Sequence, residues 1–233
     1  MNLLLLFILG TIWGTSFLFI KIIVGEVPPM TLVAGRLGVA ALLIWVIVRA
    51  RKMRPSGEAV WKRFAVVGLL NGAIPFSLSS WGEQYIPSGW AALLQSTTPI
   101  FTIILAHLLT DDDRVTPQKI AGVVLGFGGV GLLMWPELRR GGGAPILGML
   151  AIVASSLSYA IASLYARSHL NDQPPMVSAA GQFMMGFAAI LPMAMIFESP
   201  WTITPSTRAI LSWVTLSVLG TVVAYTIYFN LLK

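Results

Sequence analysis

Residues 28–36 read PPMTLVAGR, and residues 174–182 read PPMVSAAGQ, which is the same stretch 146 positions later. Proline, proline, methionine, alanine and glycine coincide, while Arg36 is replaced by Gln182 in the second copy. The match continues upstream at the same offset, in the pairs Trp13 and Tyr159, Gly14 and Ala160, and Lys21 and Arg167. A fixed internal offset indicates a duplicated structural unit. The duplicated unit here contains two apolar helices joined by a Pro-Pro turn.

The composition is that of a helical membrane protein. The 233 residues are 56% hydrophobic and only 10% charged, whereas soluble domains carry about 25% charged residues. Uncharged apolar runs of about 18 residues or more, long enough to cross a bilayer, recur along the chain. Cysteine is absent, which excludes disulfides and thiolate metal sites. The expected fold class is therefore an all-α polytopic membrane protein.

The apolar runs predict eight spans, separated by short connections rich in Pro, Gly, Asp and Arg. Their expected bounds are Leu3–Val24, Thr31–Val48, Phe64–Gly82, Ser88–Leu109, Ile120–Trp135, Pro145–Ala166, Met176–Phe197 and Ala209–Leu232. The fifth run is short for a bilayer, so its helix is expected to begin nearer Thr116, with Pro117 in its first turn.

Lys and Arg predict the orientation, because cytoplasmic loops carry an excess of them. The loop 49–63 holds six and is expected to be cytoplasmic. Alternation of the spans then places ten basic residues on that side and three on the other, with Lys21 and Arg36 inside spans. The N-terminus is expected in the cytoplasm, and the expected location is a bacterial plasma (inner) membrane. The net charge of +6 follows from this bias and does not indicate a nucleic-acid partner.

The second copy is expected to be inverted relative to the first. The loop 198–207, the counterpart of the basic loop 49–63, contains no Lys or Arg. The offset of 146 residues holds five spans, and an odd number reverses the direction of the next copy. The chain is therefore divided into a first repeat, 1–139 with spans one to five, and a second repeat, 144–233 with spans six to eight. Spans four and five have no counterpart, so the chain is expected to lack the last two helices of its second repeat.

Several motifs, in this order, resemble the EamA-type transporters of the drug/metabolite transporter superfamily. The resembling residues are Trp13-Gly14-Thr15-Ser16-Phe17, Arg36, the stretch from Gln84-Tyr85 to Leu94, Pro99, Asp113-Arg114-Val115-Thr116, the glycine run from Gly122 to Gly131, Leu219-Gly220-Thr221, Tyr225 and Tyr228. The resemblance implies ten helices in two inverted five-helix repeats, and transport of small organic solutes. The chain departs from the family at its end and at Asp111–Asp113, where the family usually has a Gly-Glu pair.

The resemblance and the inverted repeat predict a membrane transporter that moves small organic solutes or metabolites by alternating access at the repeat interface. Its expected partners are the lipid bilayer and a small-molecule solute. The alternative is a non-transporting membrane scaffold or subunit, or an inactive fragment, which the missing helices favour. An intramembrane enzyme is disfavoured because the sequence has no HExxH, GxSxG or P-loop motif and no mid-membrane carboxylate pair. No catalytic residue is assigned.

Polar and aromatic side chains recur at helical spacing on five spans and predict one central cavity. The expected solute-binding residues are Trp13, Ser16, Asn71, Gln95, Thr98, Tyr159, Tyr225 and Tyr228. Aromatic faces with a few amides and hydroxyls suit amino-acid-like or amphipathic solutes. For each residue taken singly, the alternative is an interhelical hydrogen bond that only packs the helices.

Three charged residues fall within spans, where charges are costly and mark functional sites. Arg36 is assigned to the entrance, as an anchor for an anionic group or as a gating contact. Lys21 and Glu83 are expected to extend to the membrane interface or to pair with each other.

Two weaker patterns predict neither a cofactor nor a metal. Residues 126–131 fit GxGxxG, but a membrane span lacks the strand and the acidic residue of a dinucleotide site. Glycines four apart instead let helices approach closely, and such glycine-rich faces permit a homo-oligomer; they are Gly10/Gly14, Gly68/Gly72 and Gly122/Gly126. His107 and Asp111 are also four apart, but a lone histidine near a helix end is more often an interfacial residue than a ligand.

Overall fold

The computed structural model describes residues 2–57, 59–109, 116–141 and 143–231, and the regular secondary structure of these ranges is entirely helical. Eight of the helices are long and apolar enough to cross a membrane. They are numbered in chain order: α1 Asn2–Ile23, α2 Pro29–Ala50, α3 Val60–Tyr85, α4 Ser88–Leu109, α5 Pro117–Arg139, α6 Ala144–His169, α7 Pro175–Phe197 and α8 Thr207–Tyr228. The predicted all-α fold with eight spans is confirmed. The motif residues Asp111–Asp113, Arg114 and Val115, and the last residue Lys233, lie outside the described ranges.

Prolines mark the beginnings of several spans, because a residue in the first helical turn needs no N–H partner. Pro29 and Pro175 begin α2 and α7 directly after the two matched Pro-Pro turns. Helix α5 begins at Pro117, as expected, and the Thr116 hydroxyl caps it by accepting a hydrogen bond from Lys119 N at 3.4 Å. The local sequence therefore determines where these helices start.

Helix α4 is broken near its middle, between Gln95 and Thr98. Pro99 has no N–H to donate to the carbonyl of Gln95, and its ring crowds that carbonyl. The freed Gln95 oxygen accepts hydrogen bonds from Thr98 Oγ1 at 2.9 Å and from Ser156 Oγ of α6 at 3.3 Å. The break thus leaves a backbone carbonyl free to accept a hydrogen bond from the neighbouring helix α6.

Helices α3 and α8 each contain a π-helical turn at equivalent positions of the duplicated sequence. The turns span Leu69–Ala73 and Val218–Val223, so they begin 149 positions apart. In α3 the turn precedes Pro75, and the carbonyl of Leu70 accepts a hydrogen bond from Ser158 Oγ of α6 at 2.7 Å. Such wide turns are frequent at functional sites.

Helices α2 and α7 pack against each other. They run in opposite directions, because Glu198 at the end of α7 contacts the start of α2. Gly35 of α2 lies against the indole of Trp213 on α8. At the equivalent positions, Gly181 of α7 lies against the ring of Phe64 on α3. This exchange of equivalent contacts is what an inverted repeat produces. Around these two helices, α1, α4 and α6 complete the wall of the site described next.

Candidate functional site

A cavity of about 880 Å³ lies among seven of the eight spans, all except α5. Sites for drug-sized ligands have volumes of about 300–1,000 Å³. The eight residues expected to bind the solute and the entrance candidate Arg36 all line this cavity: Trp13, Ser16, Arg36, Asn71, Gln95, Thr98, Tyr159, Tyr225 and Tyr228. The tertiary structure therefore brings residues from distant parts of the chain around one space. Their role in solute binding is taken up below as a proposal.

Aromatic rings form two walls of the cavity. On one wall, the centroid of the Trp13 ring lies 5.9 Å from that of Tyr228 and 6.2 Å from that of Tyr225. On the other, Phe76 and Tyr159 have centroids 6.2 Å apart. Rings at these distances present flat apolar faces to the space between them. The cavity therefore has aromatic surfaces on two sides.

Asn71, in the π-helical turn of α3, connects three spans beside the cavity. Its Nδ2 donates to Gln182 Oε1 of α7 at 2.8 Å and to the Tyr225 hydroxyl of α8 at 3.1 Å. In a corresponding contact, Arg36 of α2 donates a hydrogen bond to Thr221, which lies in the π-helical turn of α8. The two π-helical turns therefore each receive a polar side chain from the opposite repeat.

Gln95 is the centre of a second polar cluster, at the break in α4. Its Nε2 donates to Ser156 Oγ at 2.9 Å and to Thr98 Oγ1 at 3.1 Å. Its Oε1 accepts from Ser155 Oγ at 3.3 Å and from Ser79 Oγ at 3.4 Å. These hydrogen bonds hold the amide in place, so Gln95 contributes a preorganised polar surface.

Arg36 is only 5% exposed, and it lines the cavity. Its Nε donates to Thr221 Oγ1 at 2.9 Å, and its Cζ lies 3.9 Å from the centroid of the Phe76 ring. Among the described residues, no acidic side chain lies within ion-pair distance of Arg36. The cavity therefore carries a positive charge without an ion-pair partner in the described part of the protein.

The cavity reaches the surface at the end of the molecule that holds the basic loop 49–63, here called the basic side. Its lining there includes the exposed residues Arg167 and Asn171, at the end of α6 and in the following loop. Arg36 lies toward the other end, seven residues into α2 from the opposite side. In this conformation Arg36 belongs to the closed end of the cavity. The entrance role assigned to it stays a prediction, for a conformation open on the opposite side.

Hydrogen bonds between loops and helix ends close the opposite side. The Glu198 carboxylate, after α7, accepts from the backbone N–H groups of Met30 at 2.9 Å and Thr31 at 2.6 Å, which caps α2. The Glu26 carboxylate, before α2, accepts from Ser206 N at 2.6 Å and Ser206 Oγ at 2.7 Å, at the start of α8. The backbone and side-chain hydrogen bonds from Ser206 lower the pKa of the Glu26 carboxyl below its ordinary value. Both acids therefore connect one repeat to the other.

Lys21 and Glu83 do not behave as expected from the sequence. Lys21 Nζ donates to the backbone oxygens of Glu83 and Ile86, not to the Glu83 carboxylate. Glu83 is fully buried, so its side chain does not extend to the interface. The expected side-chain pair and the expected extension of Glu83 are both wrong, because the end of α3 offers Lys21 free carbonyl oxygens.

The polar or aromatic lining residues that were not expected from the sequence include Gln182, Ser79 and Phe76. Gln182 could have been found as the repeat counterpart of Arg36. Ser79 and Phe76 give no signal in the sequence, because serine and phenylalanine are ordinary residues of packed membrane helices. The proposed metal pattern of His107 and Asp111 falls partly outside the described ranges, since Asp111 is not described.

Comparison with known proteins identifies the architecture. The EamA-like transporter family matches residues 1–135 and 146–233. The chain belongs to this family. The two matched segments correspond to the two halves of the duplicated sequence. An "Uncharacterized inner membrane transporter YedA" of Escherichia coli (strain K12) is 28% identical over 234 residues, covering 98% of this chain and 73% of that protein.

Two other proteins are similar to this chain. An "Uncharacterized transporter YoaV" of Bacillus subtilis (strain 168) is 24% identical over 190 residues, covering 81% of this chain. The chain spans 64% of the length of that relative. A solved crystal structure with 22% sequence identity has a TM-score of 0.69 and covers 99% of this chain and 78% of its own, which shows the same fold. The family and these relatives are named as transporters rather than enzymes, and the chain is an integral membrane protein.

Proposed function

We propose that this chain carries the solute-binding site of a membrane transporter for small organic solutes. The solute has an apolar or aromatic body and an anionic group, as an amino acid or an amphipathic carboxylate does. The unpaired positive charge of Arg36 inside an aromatic cavity carries this proposal. Residues 1–139 and 144–233 act as the two repeats that rock about the site in alternating access.

The electrostatics of Arg36 favour an anion as its partner. Burying an unpaired charge costs several kcal/mol, and a bound carboxylate returns much of that cost through charge-assisted hydrogen bonds. Arg36 uses its Nε for Thr221, so the two outer nitrogens of the guanidinium are not needed for that contact, and the residue lines the cavity. A planar guanidinium can hold a carboxylate with two parallel hydrogen bonds. The aromatic walls would then enclose the rest of the solute.

The basic loop 49–63 and the hydrogen bonds that close the opposite side support one orientation of the protein in the membrane. Basic loops lie on the cytoplasmic side of membrane proteins, which places the cavity mouth and the N-terminus in the cytoplasm of a bacterial cell with the spans in its inner membrane. The contacts of Glu26 and Glu198 then close the external side. The chain adopts an inward-facing conformation in this assignment. Opening to the outside requires both acids to release the helix ends that they cap.

A matched pair of probes tests the proposal. Isothermal titration calorimetry of the purified chain compares 3-phenylpropionate with 3-phenylpropan-1-ol, which shares its body and lacks its charge. We expect the acid to bind more tightly, and Arg36→Gln to weaken acid binding about tenfold or more, since a hydrogen bond to a charged group contributes about 1.5–3 kcal/mol. Gln is chosen because Gln182 occupies the equivalent position of the other repeat.

Arg51→Gln is the control, since Arg51 carries the same charge on an exposed turn outside the cavity. It is expected to leave both affinities unchanged. Uptake of labelled 3-phenylpropionate into proteoliposomes then tests transport itself. Equal binding of acid and alcohol, or an Arg36→Gln variant that binds the acid normally, would contradict the proposed site. Specific binding without uptake would favour a non-transporting membrane subunit.

A further inference from the structure

Glu83 is a buried acidic side chain that the solute site does not use. It lies two residues before the end of α3 at Tyr85, on the side opposite the cavity mouth, and its exposed fraction is 0%. Neither of its carboxyl oxygens has a hydrogen-bond partner in the described part of the chain. An ionised carboxylate that has lost water and gained no hydrogen bond is strongly destabilised. A bound proton removes that cost.

Two positive charges face Glu83 without forming an ion pair with it. Lys21 of α1 is occupied by the backbone oxygens of Glu83 and Ile86. Arg36 is a buried side chain of α2, which packs against the half of α3 that holds Glu83, and its Nε is hydrogen-bonded to Thr221. The charge of Arg36 can therefore act both on the carboxyl group of Glu83 and on the proposed solute anion.

The other helices packed against this end of α3 contribute no further charge. Helix α6 contacts the turn of Glu83 through Gly148 and Ile152, which approach Gly82. The adjoining half of α4, Ser88–Gln95, contains no titratable side chain. Within the described residues, the protonation of Glu83 is therefore governed by Lys21 and Arg36 together with burial.

We propose that Glu83 is a proton-binding site and that its protonation is linked to anion binding at Arg36. A proton from water adds to the carboxylate, and no other bond changes. An anion bound to Arg36 neutralises the charge that stabilises ionised Glu83, so the proton and the anion bind cooperatively. By reciprocity, protonation of Glu83 strengthens anion binding. The linkage rests on the proposed function, and it makes the proton and the anionic solute bind together.

Carbodiimide labelling of the wild-type chain tests the proton site without any solute or variant. Dicyclohexylcarbodiimide modifies protonated carboxyl groups in apolar surroundings, and peptide mass spectrometry locates the adduct. We expect modification of Glu83 that becomes faster as the pH falls. Glu137, whose carboxylate accepts from Arg140 Nη1 at 2.8 Å, is the internal comparison and should react far less. An unmodified Glu83 at every pH would overturn the proton site.

Proton uptake measured with an indicator dye tests the linkage. Binding of 3-phenylpropionate should draw protons from a weakly buffered solution in the wild type and in Glu137→Gln. Glu83→Gln should lose this uptake. Wild-type binding without proton uptake, or uptake that persists in Glu83→Gln, would overturn the linkage. Absence of wild-type binding would instead refute the proposed function, while the labelling result still decides whether Glu83 binds a proton.

Discussion

Single carboxylates hold the closed side of this protein together. Glu26 and Glu198 each accept hydrogen bonds from the backbone at a helix start in the other half of the chain. Negative charge at a helix N-terminus is favourable because the first N–H groups have no partner within the helix. Closure on this side therefore depends on ionised side chains, which makes it sensitive to pH.

Acid should weaken the contact between Glu26 and Ser206. The pKa of the Glu26 carboxyl is lower in the folded chain than its ordinary value, so its contribution to stability is present above the ordinary pKa. That contribution is lost as the pH falls through the lowered pKa. We expect Glu26→Gln to lower the thermal unfolding midpoint at neutral pH, and this difference from the wild type to vanish in acid.

Ser206→Ala removes the side-chain donor from the same contact but keeps the backbone donor. The difference in unfolding midpoint between the wild type and Ser206→Ala should therefore also shrink in acid, but by less than the difference for Glu26→Gln. Thermal unfolding in detergent across a pH series measures all three proteins. A difference between the wild type and Glu26→Gln that is constant with pH would show that the Glu26 charge does not stabilise the fold.

At the scale of helices, the duplication appears as matched contacts between the halves. Gly35 against Trp213 and Gly181 against Phe64 occupy equivalent positions, and each glycine lets an aromatic ring pack directly on a helix backbone. The two π-helical turns are likewise equivalent. The two glycine–aromatic contacts are expected to contribute similar free energies to stability, because their geometry is similar.

Gly35→Ala and Gly181→Ala should destabilise the protein to a similar extent. Each new methyl group would overlap the facing aromatic ring, and overpacking of this kind costs about 1–3 kcal/mol. Gly10→Ala is the control, since nothing in the described structure lies within 4 Å of its added Cβ atom. It should be neutral or stabilising, because alanine is favoured over glycine in helices by about 1 kcal/mol.

Thermal unfolding of the three glycine variants in one detergent measures these effects. Normal stability of Gly35→Ala or Gly181→Ala would show that the ring contacts are not tight. A destabilised Gly10→Ala would indicate that the face of Gly10 and Gly14 packs against a second copy of the chain, as the sequence pattern permits.

At the scale of the whole molecule, the two ends differ in both charge and closure. The basic side holds the loop 49–63 and the exposed mouth of the cavity, and the opposite side is closed by acidic caps. The positive-inside rule assigns the basic side to the cytoplasm. If the basic side is cytoplasmic, the cavity is open to the cytoplasm and closed to the outside.

Single cysteines test that orientation directly, because the natural chain has none. Ser56 and Thr204 are exposed residues of the loops after α2 and α7. In intact cells, a membrane-impermeant maleimide should label Thr204→Cys and should reach Ser56→Cys only after the membrane is opened. Labelling of both from the same side would contradict the inverted arrangement, and the reverse pattern would contradict the cytoplasmic assignment of the basic side.

The eight spans, to within a few residues at each end, and part of the cavity lining were predictable from the sequence. Each depends on a local property: hydropathy decides which runs become helices, proline decides where they begin, and helical spacing decides which side chains share a face. Even the start of α5 at Pro117 followed from its own first turn. Such features need no knowledge of which helices become neighbours.

The charge balance of the site was decided only by the tertiary structure. Within the described residues, Arg36 has no acidic partner and the Glu83 carboxyl oxygens have no hydrogen bond, while Lys21 binds carbonyl oxygens, because of how distant spans meet. The side on which the cavity opens is decided in the same way, by caps such as the Glu198 contact with α2. The strength of a hydrogen bond changes when its length changes by a few tenths of an ångström. Distances between spans that are far apart in the chain are not encoded at that precision in any local pattern.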